Sequence, residues 1–168
     1  MKWKLFAFIL LCIITIKGSM AQNHKAIARL KDQLSAKNSQ AEMVELNYEL
    51  ALLYISKDRD SSIIYADRAI ELSTKNDLRQ WLALSLIRKG EALSRSGNDS
   101  VAINLFHQAL KIKLGPGHDT IYADANWKMG SSFYHFANYD SALIYLFKAL
   151  DIYREYEIPT IQKNTAHV

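Results

Sequence analysis

An all-α superhelix of about three helical hairpins behind an N-terminal introductory helix is the fold that the 168-residue sequence predicts. Two observations predict it. Slid against itself by forty residues, the chain superposes SSIIYADRAIEL (61–72), VAINLFHQALKI (101–112) and SALIYLFKALDI (141–152). Ser62, Ala102 and Ala142 then share a column, as do Ala66, Phe106 and Leu146, then Ala69, Ala109 and Ala149, then Leu72, Ile112 and Ile152. These columns fall three or four residues apart, so they line one face of a helix. A second helical segment precedes each copy: AEMVELNYELALLYIS (41–56), LRQWLALSLIRKGEALSRS (78–96) and IYADANWKMGSSFYHFA (121–137). In these segments Ala51, Gly90 and Gly130 recur at intervals of 39 and 40, each followed three residues on by Tyr54, Leu93 or Phe133.

Residues 1–21 read as a secretory signal peptide, with Lys2 and Lys4 ahead of a twelve-residue apolar run, Leu5 to Ile16, and Ser19-Met20-Ala21 before the cut. Twelve helical residues span only about 18 Å of a roughly 30 Å hydrocarbon core, so cleavage is expected and no stable membrane span in the mature chain. Removing Lys2, Lys4 and Lys17 from 21 basic residues leaves 18 against 17 acidic ones, so the high pI belongs largely to the leader, is no argument for nucleic acid, and no nucleic-acid partner is expected. Cys12, the only cysteine, leaves with the leader, which excludes a disulfide scaffold and thiol chemistry. The 147 residues that remain of 168 are enough for a packed core.

Residues 22–40 carry Ala26, Ile27, Leu30 and Leu34 at helical spacing and form the introductory helix, expected to pack on the first hairpin. Hairpin 1 spans 41–76, hairpin 2 spans 77–117 and hairpin 3 spans 118–156. The turns KDRD, SGND and ANYD join the helices of each pair, with Asp60, Asp99 and Asp140 expected to cap the helix that follows. Glycine inside a helix costs about 0.5 to 1 kcal/mol against alanine, so Gly90 and Gly130 predict a close backbone neighbour. Gly115-Pro116-Gly117 breaks the chain between hairpins 2 and 3, and Pro159 is expected to stop the last helix. Residues 157–168 are then a tail or the start of an incomplete repeat.

The pattern of a small residue, an aromatic three on, then Ala, a large apolar residue and Ala resembles the tetratricopeptide repeat (TPR) family. Gly130, Phe133, Ala142, Leu146 and Ala149 meet every mark, and Gly90, Leu93, Ala102, Phe106 and Ala109 nearly so. The first copy is degenerate, with Ser62 and Ala66 in place of the Ala and the large residue. Asn126 and Arg154 stand where the third copy would carry the family's Trp and Pro. The forty-residue period and the LGPGH connector resemble the longer repeats of the kinesin light chain subgroup. The resemblance implies a helical solenoid whose concave wall holds a protein or peptide.

Nothing in the sequence forms a catalytic, cofactor or metal constellation: His107, His118 and His135 lack the paired spacing of metal ligands, and the GPG turn lacks the Lys-Ser/Thr of a phosphate loop. The concave wall is expected to carry Tyr48, Glu49 and Leu52 from hairpin 1, then Arg88, Glu91 and Arg95 from hairpin 2. Hairpin 3 adds Asp124, Trp127, Lys128, Ser131, Tyr134 and His135, with Trp127, Tyr134 and Arg88 the foremost anchors. Some family members clamp a C-terminal carboxylate with Lys, Asn and Arg; here Glu91 and Ser131 replace the asparagines, which argues against such a clamp. Solenoids end in a polar face, yet Leu146, Ile152, Tyr153 and Tyr156 remain on the last helix, which predicts either a second copy there or a longer architecture. The expected role is therefore that of an exported, periplasmic or secreted, non-catalytic scaffold. The rival reading is the sensory front of a bacterial signal-transduction protein such as a histidine kinase, with an enzyme a distant third.

Overall fold

In a computed structural model, residues 23–36 and 38–165 are described, with side chains as far as residue 155, and the predicted leader over 1–21 lies outside them. The chain divides into two compact units at the junction of Asn38 and Ser39. The first contributes α1 (residues 23–35), which Ser35 and Asn38 close by donating to the carbonyls of Asp32 and Gln33 at 2.7 and 2.6 Å. The second holds α2 (Gln40–Tyr54), α3 (Arg59–Lys75), α4 (Arg79–Arg95), α5 (Asp99–Lys111), α6 (Asp119–His135) and α7 (Tyr139–Thr165). Each helix of this unit packs on the next, and α4 also lies beside both α2 and α6. That contact pattern is a stack of three antiparallel hairpins whose first helices form one wall.

The two glycines predicted to sit at close approaches do so. A Cβ added to Gly90 would lie 2.5 Å from Phe106 Cε1, and one added to Gly130 would lie 2.8 Å from Leu146 Cγ and 3.0 Å from the Ala142 carbonyl oxygen. At Gly90 the neighbour is an aromatic ring and not the backbone that the sequence suggested. Phe106 thereby reaches the centre of a cluster with Ala83, Leu86 and Ile87 of α4, Ala102 and Ala109 of α5, and Ile121, Ala125 and Met129 of α6. In hairpin 1 both positions are alanine: Ala51 stands in the glycine column and Ala66 in the column of Phe106 and Leu146, and both are fully buried. Ser62, the other departure in that copy, is also buried and donates to the Ala51 carbonyl at 2.8 Å, so its hydroxyl costs nothing.

The caps fall earlier than the sequence suggested. Asp58 accepts from the Ser61 N–H at 3.3 Å to start α3, and Asn138 accepts from the Ser141 N–H at 3.1 Å to start α7. Asp60, Asp99 and Asp140 lie inside the first turns, where they face the positive end of the helix dipole. Helix α7 also continues through Pro159 to Thr165 instead of stopping there.

The turns repeat with the same period. Gly97 and Ala137 occupy one left-handed position between paired helices, at φ of 82° and 55°. Asp77 and Gly117, at 50° and 86°, occupy the other, between hairpins. A left-handed conformation costs a non-glycine residue roughly 1–2 kcal/mol, so Gly97→Ala should lower stability by about 1 kcal/mol and Ala137→Gly should raise it, as read from urea midpoints. Filling the Gly90 notch should cost more. Gly90→Ala is expected to lose about 1–3 kcal/mol, and adding Phe106→Leu should recover part of that loss in a double-mutant cycle.

Candidate functional site

The wall made by α2, α4 and α6 holds all twelve residues assigned to the concave face, but it does not hold them together. Tyr48 is tied to Trp81 of α4 by an edge-on ring contact with centroids 5.5 Å apart, and Glu49 and Leu52 stay on α2. Tyr134 projects from the end of α6, where it meets Tyr139 at 5.6 Å. Between α4 and α6, by contrast, an open cleft of about 240 Å³ is lined by Glu91, Arg95, Trp127, Lys128, Ser131 and His135, with Ser94 and Phe106 completing it. Six of the residues read from the sequence therefore converge on one place, because positions three, four and seven apart on two neighbouring helices share a face. Ser94 and Phe106 were missed as site residues. Ser94 faces inward next to the glycine column, and Phe106 reads as pure core until Gly90 lets its ring reach the cleft floor.

Charge organises the upper wall. Arg88 donates to Glu91 at 2.6 Å and to Asp124 at 2.8 Å, which ties α4 to α6. Lys128 meets Glu91 at 2.8 Å and Asp124 at 3.7 Å, and its ammonium lies 4.9 Å from the Trp127 ring centroid. Arg95 reaches Glu91 from the other side at 3.1 Å but keeps about half of its side chain in solvent. Arg88 itself lies beside the cleft lining, nearly buried, so its role is to hold the two carboxylates in place. Three cations thus face two carboxylates, and the cation with reach to spare is Arg95.

Burial alone would push the Glu91 carboxyl up. The hydrogen bond from Lys128, the charges of Lys128 and Arg88 and the hydrogen bond from Arg95 outweigh it, holding Glu91 below the ordinary glutamate range. Below Glu91, the serines are already engaged. Ser94 donates to the Asp99 carboxylate at 2.5 Å, Ser132 donates to Ser94 at 3.1 Å, and His135 Nδ1 lies 3.4 Å from the same carboxylate. Ser131 donates to the Trp127 carbonyl at 3.1 Å. The cleft therefore offers a ligand an open shape and, at Arg95, a partly exposed charge. Among the described residues no group of three or more His, Cys, Asp or Glu side chains is placed to hold a metal ion.

A stack of antiparallel helical hairpins, keyed by small residues and walled by its first helices, defines a tetratricopeptide-repeat scaffold, a class that is in general non-catalytic and built for protein interaction. Its family is specific: the model of the SusR N-terminal TPR domain matches residues 16–122, more than half of the sequence, and the chain belongs to that family. The matched stretch contains the first two hairpins and ends within α6. Among solved structures the fold is similar to the crystal structure of MamA, with a TM-score of 0.61 and 23% identity over 83% of this chain and 73% of that one. At that identity the likeness is one of fold. No curated protein sequence matches the chain.

The depressed Glu91 carboxyl has a signed consequence. A folded-state value below the unfolded one contributes stability that is present above the ordinary glutamate range and is lost as pH falls through the folded value. Glu91→Gln should therefore be less stable than wild type at neutral pH, and the gap should close as the solution is acidified. Urea midpoints of the two proteins, measured from neutral pH downward, check this.

Proposed function

We propose that the chain is an exported, non-catalytic adaptor that holds an extended segment of another protein against the wall of α2, α4 and α6, with the cleft beside Trp127 as its anchor pocket. The observation that carries this reading is the convergence of Glu91, Arg95, Trp127, Lys128, Ser131 and His135 on one open cleft. Trp127, half exposed, offers a surface for an apolar or aromatic side chain, and the buried Phe106 backs the cleft from beneath. Arg95, half exposed, offers a cation for an acidic group beside it. The remaining charges satisfy one another and keep the pocket's shape.

Peptides selected from a random display library against the wild-type chain, then titrated calorimetrically, test the reading. Trp127→Ala should weaken their binding by tenfold or more and Arg95→Ala by several-fold, since a few central aromatic and Arg side chains carry most of the energy at such sites. Ile64→Ala, exposed on α3 and outside this wall, should leave binding unchanged. Selected peptides indifferent to both cleft substitutions would contradict the assignment. Export itself predicts that the protein recovered from cells begins at Gln22, which intact-mass measurement reads directly.

A second reading is favoured by the family's own description as an N-terminal domain. In it the same groove is the sensory front of a signal-transduction protein, and the bound segment is the signal. A reading frame that continues beyond the codon for Val168 into a membrane span and kinase motifs would decide for it.

A further inference from the structure

Helix α7 presents to solvent a stripe of large apolar side chains, Tyr139, Leu143, Phe147 and Leu150, flanked by Ile144 and Tyr153. Spacings of four, four and three place the stripe on one helical face. The repeat register says what that face does elsewhere. Forty and eighty residues earlier, Leu143 corresponds to Ile103 and Ile63, and Leu150 to Leu110 and Ile70. Ile70, Ile103 and Leu110 are all packed against the core cluster, and α3 and α5 are covered by the first helix of the next hairpin.

The stripe is wider than that arrangement needs. Phe147, 58% exposed, corresponds to Asp67 and His107, both polar. Asp67 meets Lys89 of the covering helix α4 at 2.6 Å, so the following helix brings a polar rim to this position, and a phenylalanine offers such a rim nothing. Phe147 calls instead for an apolar group. The chain supplies a matching one, because the face is complementary to itself when two α7 helices run antiparallel with Phe147 at the twofold axis.

In that register Ile144 opposes Leu150 of the other copy, and Leu143 lies within one residue's rise of the same side chain. Asp140, seven residues before Phe147, opposes Arg154, seven residues after it, so each end closes with opposite charges. An isologous contact of this kind repeats every favourable pairing twice. We infer that two copies of this chain associate through α7, antiparallel about Phe147, with Asp140 of each facing Arg154 of the other. A helix contact of this length, roughly 21 Å at 1.5 Å per residue, is small for a protein interface, so the dimer is concentration-dependent and not obligate.

Sedimentation velocity of the full chain, from low micromolar to near-millimolar concentration, tests the inference. All variants share the same N-terminus, so differences between them report α7. Wild type should shift from monomer to dimer. Phe147→Glu, at an exposed position, should stay monomeric with an unchanged circular dichroism spectrum. Asp140→Arg and Arg154→Asp should each weaken association several-fold, and the double variant should restore most of it, because only the antiparallel register brings the two exchanged charges together. A wild type that remains monomeric throughout, association indifferent to Phe147→Glu, or a double variant no better than the single ones would each overturn the inference.

Discussion

A side chain too large for its own helix pair fits only because the opposite helix lacks one. Phe106 lies against Gly90 and Leu146 against Gly130 at distances where a β-carbon would be impossible without displacement. Each first helix is thereby drawn close to the second, and alanines at 102, 109, 142 and 149, all buried, allow the approach along the rest of the pair. Glycine in mid-helix is a local cost, and burial of Phe106 among three helices outweighs it: fully removing such a ring from water contributes about 1.5–3 kcal/mol. The first hairpin has alanine on both sides of the same contact, and both are buried.

From that packing the binding wall follows. When hairpins stack with second helices interleaved between first ones, α2, α4 and α6 come side by side, and an open cleft lies between α4 and α6. Between α4 and α6 the groove is held open by charge. Arg88 and Lys128 bridge Glu91 and Asp124 across the helices, so the spacing of the wall is fixed by groups that are themselves nearly out of water. Partly buried ion pairs contribute little net stability because desolvation offsets attraction. Their contribution here is geometric, since losing either partner would leave a charge unmatched in the wall.

The fold was legible in the sequence because a repeat states its packing rule three times, and columns such as Ala69, Ala109 and Ala149 separate signal from chance. The wall was legible for a related reason: once the packing face of a helix is known, the opposite face is known too, and Glu91, Arg95, Trp127, Lys128, Ser131 and His135 follow. What could not be read was how those residues divide. Arg88 is identical on paper to Arg95, and only the position of Asp124 on the neighbouring helix turns the first inward and leaves the second half free. Ser94 and Phe106 escaped for the opposite reason, since each belongs to the interior by pattern and reaches the cleft only through the glycine beside it. Capping residues were misplaced by one or two positions, because Asp58, Asp60 and Asp99 are equally good caps by type and the turn length decides among them.

The close approach of the Phe106 ring to Gly90 is open to direct observation by nuclear magnetic resonance. One α-proton of Gly90 occupies the place a β-carbon would take, so it should be shifted strongly upfield by the ring and show intense cross-relaxation with the Phe106 ring protons. An unshifted Gly90 α-proton with no contact to that ring would mean that the two helices are not keyed together there, and the stacked wall deduced from that contact would have to be abandoned.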